Sequence, residues 1–110
     1  MLIDEIQQKI NQLDSALKLL NKNGIDLAKK ERDYKITLRT EALKLREEGM
    51  AVTLIDQIIY GVPQVAKLRF ERDVAKTNYD TNIEFINSIK LQLRLMEGQA
   101  SRDWSRAKDE

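Results

Sequence analysis

Between residues 3 and 45 the apolar positions recur at alternating intervals of three and four. They run Ile3, Ile6, Ile10, Leu13, Leu17, Leu20, Leu27, Tyr34, Leu38, Ala42 and Leu45, with Gly24 and Glu31 falling in phase. That spacing lays one seam along a single long helix, expected over about 3–48. Asn23 and Gly24 make a soft point, but the apolar register resumes beyond them, which argues for continuity rather than a loop. Gly49 is the first firm stop, because glycine tolerates the left-handed conformation that closes a helix. Thr53 then reads as an N-cap with Asp56 three residues on, opening a short helix over about 54–60. Pro63 stands where a first-turn proline is tolerated. The third helix, over about 63–104, carries its own seam of Leu68, Ala75, Tyr79, Asn82, Ile86, Ile89, Leu93, Ala100 and Trp104. Order is expected to weaken after Gly98, and the tail 105–110 to fray.

Two long helices joined by a tight bend must fold back on each other. The pattern therefore predicts one all-α domain over 1–110: a long antiparallel helical hairpin, coiled-coil-like, with a short helix at the bend. The two seams align when paired positions sum to about 112. Leu45 is then expected opposite Leu68, Leu38 opposite Ala75, Tyr34 opposite Tyr79, Leu20 opposite Leu93, and Ile6 or Ile10 against Trp104.

A second set of apolar residues lies off the seams. Ile25, Ile36 and Leu43 fall about 90° or more from the first seam, and Leu91 and Leu95, with Phe70 further back, lie nearly opposite the other. A hairpin has one internal face, so these side chains need another cover. Ile36, Phe70, Leu91 and Leu95 are the candidate oligomer interface of a dimeric helical bundle, a homodimer or higher.

Composition agrees with long helices: 34% charged, 42% hydrophobic, four glycines and one proline. Six aromatic residues leave the core to aliphatic side chains. Without cysteine there is no disulfide or thiolate chemistry. Without histidine there is neither a Glu-x-x-His metal site nor a histidine base, and no Gly-rich phosphate loop is present. No catalytic residue, cofactor or metal is expected, and the chain reads as a non-enzyme. The start has acids at Asp4 and Glu5 rather than a basic region before an apolar run, and no window is apolar enough to span a bilayer. A soluble, cytoplasmic protein without membrane contact is the expectation.

Net charge is +1, which gives no general attraction to nucleic acid. Eleven basic and eight acidic residues fall between 29 and 76, so a weak excess sits in the middle of the hairpin. Lys35, Arg39, Lys44, Arg46, Arg69 and Arg72 are the candidate phosphate contacts, interleaved with acids at helical spacing. The stretch 47–68 superficially suggests a DNA-reading helix-turn-helix. However, Asp56 and Gln57 stand where that motif would hold an apolar and a small residue, and its second helix would merely begin a forty-residue one. The stretch reads as a bend. Trp104, the lone tryptophan, is expected to close the open end of the hairpin or to anchor a partner.

The segments LKLREEGMAVTLIDQIIYG (43–61), VAKLRFERDVA (65–75) and INSIKLQLRLMEGQ (86–99), followed by Trp104, resemble small uncharacterised proteins of phages and prophages of Gram-positive bacteria. Such proteins often lie in early regions near replication and recombination genes. The resemblance implies a helical interaction or adaptor protein, an accessory factor for phage DNA replication or recombination acting through protein contacts with an unidentified partner. A small inhibitor of a host defence protein or nuclease is the second reading. Weak nucleic-acid binding through the basic middle is the third.

Overall fold

The structure, a computed structural model, describes Met1–Asp109. Three α-helices follow one another: α1 (Leu2–Glu47), α2 (Val52–Ile58) and α3 (Pro63–Asp109), with a 3-10 turn at Ile59–Gly61 between α2 and α3. No strand occurs among the described residues. Helix α1 runs unbroken through Asn23 and Gly24, as its apolar phase requires. Helix α3 continues past Gly98 to Asp109, since after Gly98 neither glycine nor proline recurs to stop it; Glu110, the end of the tail expected to fray, lies outside the described residues.

The chain divides into two compact units, Met1–Lys22 with Asp80–Glu110, and Asn23–Tyr79. The second unit contains the bend. Gly49 N–H donates to the Arg46 carbonyl at 3.0 Å and Met50 N–H to the Leu45 carbonyl at 3.1 Å. Together with the φ of +90° at Gly49, this is a Schellman cap, and Leu45 and Met50 pack on the same cluster beneath it. A Cβ at Gly49 would meet nothing nearby, so only the backbone conformation demands glycine. Gly49→Ala is therefore expected to cost about 1–2 kcal/mol, measurable as a lower denaturation midpoint with unchanged helical content.

Helix α2 begins two residues earlier than its sequence suggests. Ala51 is the N-cap and makes no side-chain cap bond; its carbonyl accepts from both Leu54 and Ile55 N–H at 3.0 Å. Thr53 thus lies inside the first turn and is not the cap. At the other end Val62 is extended, as a residue before proline prefers. Its carbonyl accepts from Ala66 N–H at 2.9 Å, leaving Pro63 as the first residue of α3.

The core of this unit is Tyr34, Ile55, Ile59 and Val65, with Leu38, Ala42, Leu45 and Leu68 packed against it. Here the expected register fails. Tyr79 lies over Gly24, its ring carbon 3.4 Å from where a Cβ would stand, rather than opposite Tyr34. Tyr34 instead sits beneath Arg72. The offset is about ten residues, or about 15 Å of helix. The cause is α2 and the 3-10 turn after it: Ile55 and Ile59 occupy the cluster that covers Leu38, Ala42 and Leu45, where Ala75 and Leu68 of α3 had been expected to serve alone. A bend that folds back along α1 uses up the length that a tight link would have left to α3. Gly24→Ala should raise stability by about 1 kcal/mol, since it restores helix propensity and adds only an ordinary contact with Tyr79.

In the first unit Ala16, Ile86, Ile89 and Leu93 form the core, with Ile6, Leu13 and Leu20 packed on it. The α3 seam is buried as predicted from Asn82 through Leu93. On α1 the buried face is turned toward Leu2 and Ala16, away from Ile3, Ile10 and Leu17, which are 72%, 36% and 44% exposed. Asn82 supplies the reason. It is buried, and its Nδ2 donates to the Ala16 carbonyl at 3.2 Å. A side-chain amide reaches the backbone of a neighbouring helix only where the intervening residue is small.

Candidate interaction surfaces

The six predicted phosphate contacts all lie in the second unit, and most are engaged with their own chain. Arg72 is the most constrained. Its guanidinium lies 4.7 Å from the centre of the Tyr34 ring, donates to Asp73 at 2.8 Å and pairs with Glu31 at 3.7 Å. Partial burial opposes its charge. The hydrogen bond to Asp73 and the fields of Asp73 and Glu31 outweigh that penalty, so its pKa is raised above the ordinary arginine value. Arg69 lies over the Tyr60 ring at 4.6 Å, a cation–π contact at an exposed position. Lys35 pairs with Glu31 at 3.3 Å and Lys44 with Glu41 at 3.2 Å. Arg39 and Arg46 are exposed on α1. The basic middle is thus largely an internal network of ion pairs and ring contacts.

The four predicted interface residues are uncovered: Ile36 is 58% exposed, Phe70 69%, Leu91 53% and Leu95 64%. Ile25 and Leu43 are exposed in the same way on α1. Trp104 is 73% exposed, so the expected closure against Ile6 and Ile10 does not form. The register explains this, because α3 meets Ala16 already at Asn82 and its last turns have correspondingly less of α1 beside them.

Two surface features escaped the sequence reading. In the first unit Leu19 and Phe85 flank an open groove of about 440 Å³ whose walls are otherwise Asn11, Gln12, Ser15 and Ala16. In the second unit Phe70 and Val74 border a smaller groove of about 250 Å³ with Asp26, Lys30 and Glu71, the last two paired at 3.8 Å. Leu19, Val74 and Phe85 sit at the flanks of seams, where a helical wheel alone cannot separate a core edge from a surface. Around the bend Val52, Leu54, Ile58 and Tyr60 are exposed as well.

No protein-family model, no curated protein and no solved structure matches this chain. Function must be argued from its surfaces. Among the described residues, no group of three or more Asp, Glu, His or Cys side chains is placed to hold a metal ion. No described helix is long and apolar enough to cross a membrane.

Proposed function

We propose that this chain is a non-enzymatic helical interaction protein that works as a homo-oligomer and presents its surfaces to a protein partner. In the context that the phage and prophage resemblance implies, it would be an accessory factor for DNA replication or recombination acting through protein contacts. One observation carries the self-association. Among the described residues nine apolar side chains are buried, whereas eighteen large ones are exposed. A lone chain with so much apolar surface uncovered gains by burying it against another. The nucleic-acid reading has less support, because Lys35, Lys44, Arg69 and Arg72 already answer to groups of their own chain.

Sedimentation equilibrium at micromolar concentration tests the reading. A dimer or larger assembly is expected, with a melting temperature that rises with protein concentration because folding and association are linked. Leu91→Glu combined with Leu95→Glu should shift the balance toward monomer. A well-folded monomer with a concentration-independent melt would exclude self-association and leave these residues to a foreign partner.

A further inference from the structure

Two exposed helix faces, one in each unit, carry charges of opposite sign. In the second unit the outer face of α1, directly away from the core, is the series Ile25, Lys29, Arg32, Ile36, Arg39 and Leu43. At about 100° per residue these six fall within an arc of about 80°, and all are exposed. Between 25 and 43 the arc holds three bases, three large aliphatic residues and no acid; Glu47 follows on it one turn later. Arg32 contacts an acid at its side, pairing with Asp33 at 3.1 Å, and remains exposed.

In the first unit the outer face of α3 is the series Asp80, Glu84, Ser88, Leu91 and Leu95, again exposed and within about 80°. Between 80 and 95 it holds two acids, two leucines and no base; Arg102 falls on the same arc two turns beyond Leu95. The bases nearby in sequence, Lys90 and Arg94, lie on a different side of the helix. Over these two spans the outer faces carry aliphatic residues together with charges of opposite sign.

The geometry points to a second copy of this chain as the occupant: the basic outer stripe of α1 docks on the acidic outer stripe of α3 of another molecule. This rests on the self-association reading above and specifies its surfaces. With the two helices parallel, Lys29 faces Asp80 and Arg32 faces Glu84. Ile36 then falls beside Ser88, the aliphatic stem of Arg39 lies along Leu91, and Leu43 meets Leu95. Nucleic acid fits the basic stripe less well, because its aliphatic residues break the run of cations. The contact joins two different surfaces, so it is heterologous, and each bound molecule still carries an unused stripe.

That asymmetry gives the test. Leu43→Glu disables only the α1 stripe and Leu95→Glu only the α3 stripe; both side chains are exposed, and helical content by circular dichroism checks that folding is intact. Each variant alone should sediment as a monomer at concentrations where the wild type assembles. Mixed in equal amounts, they should form a one-to-one heterodimer and nothing larger. Raising salt from about 0.05 to 0.5 M should weaken wild-type assembly several-fold, since the exposed pairs are screened. Should either glutamate variant fail to fold, Arg32→Glu with Arg39→Glu and Asp80→Lys with Glu84→Lys replace them in the same design. If the single-stripe variants assemble like the wild type, or if the mixture stays monomeric while the wild type assembles, the stripe assignment is wrong although self-association stands. A monomeric wild type would remove both.

Discussion

Asn82→Asp should be among the most damaging single-atom changes this chain can suffer, and its damage should depend on pH. The wild-type amide is buried and donates to the Ala16 carbonyl at 3.2 Å. A carboxylate in that place has no proton to donate and would point a negative charge at a carbonyl oxygen. Losing that donor and placing a charge against the carbonyl oxygen inside the core is expected to cost about 1–3 kcal/mol or more. Burial and the carbonyl both favour the protonated acid, so the folded-state pKa would stand above the unfolded value of about 3.9. The sign follows from linkage. The folded form binds the proton more tightly, so the variant regains stability as pH falls through the raised pKa and carries its full penalty above it. Denaturant melts at neutral pH and near pH 5 would check this. Equal destabilisation at both would mean that the amide is not buried against Ala16.

Ile89→Ala and Leu91→Ala are expected to separate, although the residues are two positions apart. Ile89 is 2% exposed, within the core of Ala16, Ile86 and Leu93. Truncating it should cost about 2–5 kcal/mol, through lost transfer free energy and the cavity left behind. Leu91 is 53% exposed, so its loss should change the stability of a single chain by about 0.5 kcal/mol or less. Its effect should appear instead in assembly, as a melting temperature that depends more weakly on protein concentration. Thermal melts at two concentrations on both variants distinguish a core residue from an interface residue. A large loss for Leu91→Ala at the lowest concentration would show that it is packed within its own chain.

These contrasts mark what the sequence could reveal. Period alone shows which face of a helix is buried, and on α3 it marks Ala75, Asn82, Ile86, Ile89 and Leu93, all of them buried. Helix ends set by backbone chemistry are equally legible, since Gly49 and Pro63 have conformational reasons that no neighbour alters. Axial offset is different. Two regular stripes can slide past each other by whole turns and still match apolar against apolar, so the sum of paired positions has little to fix it. The volume of α2 and the reach of the Asn82 amide decide it, and both appear only in three dimensions. The choice of Ala16 over Leu17 has the same origin: hydrophobicity favours leucine, whereas close approach of two backbones favours alanine. Surface chemistry was half visible. Ile36, Phe70, Leu91 and Leu95 stand out as apolar residues off the seams, but the internal engagement of Arg69 and Arg72 with tyrosine rings could not be read from spacing.

The cap at Gly49 has a kinetic consequence. Its bonds join residues three and five apart, and the next ones, from Ile55 N–H to the Ala51 carbonyl and from Val62 N–H to the Ile59 carbonyl, are equally local. The Asn82 to Ala16 bond closes a separation of 66 residues. Closing a long loop costs more entropy than closing a short one, so the bend is the inexpensive place to begin and the Asn82 contact is reached late. Mutations at Gly49 and Ile55 should accordingly slow folding, whereas mutations at Asn82 and Ile89 should chiefly accelerate unfolding.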